Sequence, residues 1–286
     1  MPASNIRILM DTITEQFSIE GEAGELIRCD ISYRNGRQRQ SPVAIFCHGF
    51  KGFKDWGGWP YFRTKLAEAG STVIGVNFSH NGIGEDPESF TRLDLFKEDT
   101  LSGQSRDLVR VIEALKCSKI PQLRFEECGP VVLIGHSRGG VPVISAAASQ
   151  TGIAGLVLLA AIADLPEVGA EDEAKWRNAG YWLSQNYRTQ QQMLLGIGLL
   201  EELVSKRDMI SSSAELVKVP ALIIQGDEDS SVPVAAAGKL NRWIKGSEML
   251  ILSGADHNFG TKHPFAGSTE DFERVIAEVA KFIGRI

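Results

Sequence analysis

Val131-Val-Leu-Ile-Gly-His-Ser-Arg-Gly-Gly-Val-Pro-Val143 passes from an unbroken aliphatic run, through small residues around a lone serine, into the helix-forming segment Val141–Ala148. The aliphatic run has the pattern of a strand buried on both faces. A serine in a sharp strand-to-helix turn is forced into a strained backbone conformation, and side chains larger than hydrogen two residues before and after it would collide. Gly135 and Gly139 meet that requirement. Such a turn lifts the Ser137 hydroxyl above the sheet and aims the start of the next helix at it, so backbone N–H groups and the helix dipole favour negative charge there. Pro142 suits the first helical turn, where its missing N–H costs nothing.

Outward from this turn, short apolar runs alternate with helical segments. Strands are expected at Val43–Cys47, Thr72–Phe78, Val131–Ile134, Gly155–Leu159, Ala221–Ile224 and Met249–Leu252. Helices are expected near Tyr61–Ala69, Ser102–Leu115, Arg138–Ser149, Val234–Trp243 and Glu270–Ile283. This alternation implies right-handed crossovers and an open, mostly parallel twisted sheet, with its ligand site beyond the carboxyl ends of the strands. Gln16–Ile19 and Leu26–Tyr33, around the turn-prone Glu20–Gly24, predict an opening antiparallel hairpin.

The interval 164–218 is too long for one crossover. Trp176, Ala179, Leu183 and Tyr187 recur at helical spacing after the acidic Glu171-Asp-Glu173, and Leu194, Ile197, Leu200 and Val204 suggest a second helix weakened by Gly196 and Gly198. The interval reads as a small helical cap inserted into a single domain spanning residues 1–286.

Composition narrows the class. The 286 residues are 43% hydrophobic and 23% charged, which excludes disordered and fibrous chains. A net charge of −6 without a basic stripe gives nucleic acid no electrostatic footprint. No stretch approaches the roughly 20 apolar residues of a membrane span, and charge interrupts the first apolar run before it could serve as a signal core. Cys29, Cys47, Cys117 and Cys128 lack C-x-x-C spacing and read as free thiols, so a cytoplasmic protein is expected.

Further motifs lie in the later loops. Ile223-Ile224 leads into Gln225-Gly-Asp-Glu-Asp-Ser-Ser-Val-Pro233, where Asp227 and Asp229 both follow a strand; Ser253-Gly-Ala-Asp-His-Asn-Phe259 follows the next strand. With G-x-S-x-G at Gly135–Gly139, these segments resemble the α/β-hydrolase family, whose triad runs in the order serine, acid, histidine. The resemblance covers nearly the whole chain. It implies Ser137 as nucleophile, Asp229 as the acid, with Asp227 a solvated turn residue, and His257 as general base. His263 and His80 do not sit in the loop directly after a strand. Cys47-His-Gly-Phe50 is similar to the family's H-G-x turn, which implies an oxyanion hole from the backbone N–H groups of Phe50 and Arg138.

The chemistry needs all three residue types. A serine hydroxyl attacks only when an imidazole takes its proton, and a carboxylate on the other ring nitrogen fixes the tautomer. The flexible aromatic loop Gly49–Trp59 offers Phe53 and Trp56 as pocket candidates, and the cap offers Trp176, Trp182 and Tyr187. His48 is either a pocket group or a brace for its own turn. Phosphate-loop binding fails because Val141-Pro142 follows Gly140 where Lys-Ser/Thr would be needed. A serine at the elbow argues against the carboxylate-nucleophile enzymes of the family. The resemblance therefore implies a small-molecule carboxylic ester hydrolase without cofactor or metal. Thioesterase, peptidase, carbon–carbon hydrolase and perhydrolase chemistry use the same residues, and a non-catalytic scaffold is the remaining alternative. The loop, cap and opening hairpin look similar to dienelactone-hydrolase-like and feruloyl-type esterases.

Overall fold

The computed structural model describes residues 7–9 and 11–286. Three antiparallel strands open the chain: β1 (Arg7–Leu9), β2 (Thr12–Glu20) and β3 (Leu26–Arg34). The predicted hairpin thus forms, and β1 extends it outward. There follow β4 (Ser41–Cys47), α1 (Trp59–Glu68), β5 (Thr72–Asn77), α2 (Leu93–Lys97), α3 (Leu101–Lys116), β6 (Cys128–His136), α4 (Gly140–Ser149) and β7 (Ile153–Leu159). After α5 (Ala170–Ala179), β8 (Tyr181–Asn186), β9 (Gln191–Gly196), α6 (Ile197–Ser205) and α7 (Met209–Ala214), the chain closes with β10 (Ala221–Gly226), α8 (Val234–Trp243), β11 (Glu248–Leu252) and α9 (Glu270–Ile283).

The main sheet runs β1-β2-β3-β5-β4-β6-β7-β10-β11, parallel from β5 to β11. Both its faces are covered, which is why the central strands are unbroken apolar runs. Along β6, Val132 and Ile134 join one core with Phe62 of α1 and Phe272 of α9, while Val131 and Leu133 join the other with Val111 of α3 and Ile144 of α4. The strand's two-residue period delivers alternate side chains to the two layers.

The interval 164–218 corrects the helical expectation in part. α5 stops at Gly180, whose left-handed φ of +77° lets its N–H close onto the Trp176 carbonyl. Leu183 and Tyr187 therefore fall on or after a strand, and β8 pairs antiparallel with β9 in a separate two-stranded sheet. Leu194 belongs to β9, and only from Ile197 does the second expected helix begin. Gly196 marks that switch: a Cβ there would lie 2.4 Å from the Lys97 carbonyl oxygen, so the interval and the end of α2 touch backbone to backbone. The carboxylate of Glu202 in α6 is buried against the start of α3, accepting from Leu101 N–H at 2.7 Å and Ser102 N–H at 3.2 Å. An anion at a helix N-terminus meets unpaired N–H groups and the favourable end of the dipole.

Candidate active site

β6 delivers Ser137 at its carboxyl end with φ +54°, the left-handed conformation expected of the elbow. The flanking glycines are required by contact: a Cβ at Gly135 would sit 2.4 Å from the Gly139 carbonyl oxygen, and one at Gly139 would sit 2.4 Å from that of Cys47. Gly49 is pressed as closely, its notional Cβ 2.9 Å from Cβ of Ser137. The turn after β4 is thereby held against the serine. Among the described residues, the N–H groups of Phe50 and Arg138 donate to no protein acceptor, the condition for binding an oxyanion.

The loop bearing Asp229 follows β10 and the loop bearing His257 follows β11. They lock together where Glu228 N–H donates to Ala255 O at 3.2 Å and a Cβ on Gly226 would meet that same oxygen. Asp229 Oδ1 accepts from Ser231 and Val232 N–H, both at 2.8 Å, and Oδ2 accepts from Gln225 Nε2 at 2.9 Å and His257 Nδ1 at 2.7 Å. Burial pushes this carboxyl's pKa up, but the His257 hydrogen bond and the backbone donors outweigh it and hold the group below the ordinary carboxylate value. With Nδ1 engaged, His257 presents Nε2 as its remaining nitrogen. Ser137 is not hydrogen-bonded to it in this structure; catalytic hydrogen bonds of this kind commonly close only around a substrate. His136, the residue before the serine, packs at a tilt against the His257 ring at 4.8 Å between centroids and donates to its main-chain carbonyl.

The rival residues have other partners. Asp227 is exposed and accepts from Gly254 N–H at 2.6 Å, tying the two loops together. His263 Nδ1 accepts from Gly57 N–H at 3.0 Å, and His80 Nδ1 meets the Ser79 hydroxyl at 2.8 Å.

A cavity of about 410 Å³ opens beside Ser137. Phe50, Arg138, Ile162 and Val232 line it from the sheet side; Trp176, Trp182, Leu195, Leu199 and Leu203 line it from the interval 164–218. The two tryptophan rings lie 5.9 Å apart. The other four pocket candidates lie outside these walls. His48 is buried, donates from Nδ1 to Gly49 O at 2.9 Å and accepts on Nε2 from Asn81 at 3.2 Å, so it braces its turn. Phe53 is fully buried among Phe90, Phe96 and Met193, and Trp56 stacks on His263. Tyr187, 83% exposed, sits at the hairpin tip. The loop Gly49–Trp59 is also less free than its glycines suggested. Lys54 Nζ pairs with Asp30 at 2.8 Å and with Asp55, while Arg63 spans the same two acids at 3.0 and 2.9 Å. All four charges are buried or nearly so, and each has an opposite partner.

Several site neighbours had no sequence signal. Asp99, at the end of α2, is buried and paired with Arg138, and its oxygens accept from Gln104 Nε2 at 3.0 and 2.9 Å. Gln225 supports Asp229 from the last turn of a strand whose pattern only reads as apolar. Among the described residues no group of three or more His, Cys, Asp or Glu side chains could hold a metal. No helix among them is long and apolar enough to cross a membrane.

A family model described as the alpha/beta hydrolase family matches residues 44–282. Among solved structures, the chain is similar to Est1E from Butyrivibrio proteoclasticus with ferulic acid bound, at 17% identity and TM-score 0.72, over 94% of this chain and 98% of that one. A putative hydrolase from Agrobacterium vitis S4 matches at 19% identity and TM-score 0.70, over 94% and 99%. A dienelactone hydrolase from Anabaena variabilis matches at 14% identity and TM-score 0.61, over 95% and 98%. At such identities the likeness is one of fold.

Proposed function

Because the chain belongs to the α/β hydrolase family, we propose that it is a serine hydrolase cleaving small or medium carboxylic esters through an acyl-enzyme. The observation that supports this most directly is the 2.7 Å contact of His257 Nδ1 with Asp229, on the carboxyl side of the same sheet that carries the strained Ser137. In this reading Ser137 Oγ attacks the ester carbonyl while His257 Nε2 takes its proton. The carbonyl oxygen gains negative charge and accepts from Phe50 and Arg138 N–H; loss of one such donor costs about 10²–10³ in kcat. His257 returns the proton to the departing alkoxide, leaving Ser137 acylated. Water, deprotonated by the same imidazole, then releases the acid and restores the serine. Asp229 holds the ring and stabilises the imidazolium in both halves.

Ester cleavage is put first because Est1E, similar over most of its length, was solved with ferulic acid, a carboxylic acid of the kind an ester hydrolase releases. Thioester and amide cleavage release the same acid and are separated by testing all three bond types. The apolar walls favour an apolar acyl or alcohol group. Residues 164–218 act as a cap over that group, with Trp176 and Trp182 as its contacts. Four unpaired cysteines favour a reducing compartment, the cytoplasm. The test is a panel of p-nitrophenyl esters, thioesters and anilides with Ser137→Ala as control. Ester turnover that disappears in the variant supports the reading; ester turnover equal in both proteins would falsify it.

A further inference from the structure

The side chain of Arg138 has no part in the hydrolytic steps, yet it is held more firmly than an arginine at a cavity wall need be. Its guanidinium lies 4.5 Å from the centre of the Phe50 ring and pairs with Asp99; the two charged side chains are only 11% and 4% exposed. Phe96 also stacks on Phe50 with ring centroids 5.9 Å apart, and the Lys51 ammonium lies 5.2 Å from the ring centre. Phe96 and Asp99 belong to one short stretch at the end of α2, so a single segment supplies both a ring against Phe50 and the acid that aims the arginine at it.

Phe50 needs such support. It is 37% exposed and sits in a turn where Lys51 has φ +54° and Gly52 N–H returns to Gly49 O at 3.1 Å. A free arginine loses rotamer entropy when ordered, and a buried ion pair is a poor source of stability compared with apolar residues of the same volume. Arg138 Nε is buried with no partner among the described residues. The Asp99 pair engages Nη2, so the guanidinium's placement leaves its buried Nε unsatisfied. Its placement matches the ring.

We propose, building on the hydrolase reading, that Asp99 is a positioning residue for the oxyanion hole: it seats the Arg138 guanidinium on the Phe50 ring and so sets the spacing of the backbone N–H groups of Phe50 and Arg138. The residue that follows the nucleophile thus grips, through its side chain, the residue carrying the other donor. The device acts on the tetrahedral state and not on ground-state binding, because only the developing oxyanion depends on the two N–H groups converging.

Asp99→Asn removes the charge while keeping size and a hydrogen-bond acceptor for Gln104. Its kcat should fall about 10- to 100-fold, with KM nearly unchanged. Affinity for a trifluoromethyl ketone, which forms the tetrahedral adduct on Ser137, should fall by the same factor as kcat. Phe50→Leu, at a partly exposed turn, keeps the N–H; because its ring also lines the cavity, KM is free to move, but kcat and ketone affinity should still fall by the same factor even if Asp99→Asn folds poorly. The double variant should lose little more than the worse single one. Wild-type turnover that depends on Ser137, with both variants within about twofold of wild type in kcat and ketone affinity, overturns the clamp alone. Wild-type protein with no Ser137-dependent turnover or ketone adduct overturns the hydrolase reading, and the clamp with it.

Discussion

His136 Nε2 donates to the main-chain carbonyl oxygen of His257 at 3.0 Å. A carbonyl can only accept, so His136 carries its proton on Nε2, and the strand leading to Ser137 is tied to the loop bearing His257. The ring is wedged against Trp59, 4.8 Å away, which leaves it little room to turn.

His136→Phe should keep that aromatic contact and lose the tie. The expected result is a fall in kcat/KM of about tenfold, far smaller than that of Ser137→Ala, because the base is displaced and not removed. Steady-state kinetics on a short p-nitrophenyl ester check it, and an unchanged value would show that the tie does not position His257.

Acid should weaken the fold through two neutral imidazoles. Burial pulls His48 down to about 4, and burial together with the nearby His257 pulls His136 down to about 3. In the unfolded chain both take protons near 6.5. Between those limits the unfolded state binds more protons, so stability is full above about pH 6.5 and declines as pH falls toward 4 and then 3. At about pH 5 His48 alone removes about 2 kcal/mol. Urea midpoints across this range measure the decline, and His48→Gln should flatten its upper part.

The two aspartates of the acid loop should separate cleanly. Asp229→Asn presents His257 with the wrong partner for its Nδ1–H tautomer and should cost roughly 10³–10⁴ in kcat. Asp227→Asn weakens only the contact to Gly254 and should stay within about threefold of wild type. Reversed outcomes would move the acid to Asp227.

Substrate size should be read by one tryptophan and not by the neighbouring tyrosine. Trp182→Ala enlarges the cavity and should shift the ratio of kcat/KM between bulky and short acyl esters by about tenfold toward the bulky one. Tyr187→Ala, at the exposed tip, should leave that ratio alone.

What could be read in the linear chain was whatever short segments decide for themselves. α8 and α9 begin and end where their pattern predicts, and the parallel strands appear because burial on both faces leaves an unbroken aliphatic mark. The loops bearing Asp229 and His257 were legible as loops because each follows such a strand, and those two residues were singled out by resemblance to the family's motifs. The hairpin was not: Trp176, Ala179, Leu183 and Tyr187 fall at a helical interval by coincidence, and the left-handed Gly180 cuts through it. Phe53 and Trp56 were misplaced because aromatic residues in a glycine-rich loop look exposed until Phe90, Met193 and His263 arrive from remote parts of the chain. Asp99 was silent for the same reason, since its partner lies 39 residues away.

The carboxylate of Glu202, seated on the first N–H groups of α3, fastens one wall of the cavity to the main body. α6, with Leu199 and Leu203, is riveted to the main body, whereas α5 and the hairpin that bear Trp176 and Trp182 lie upstream of that rivet. The tryptophan side is moored separately, where Lys51 Nζ donates to Gln185 O at 2.7 Å and Gln191 Nε2 donates to Phe90 O at 3.0 Å, so each wall of the chamber has its own tie to the main body.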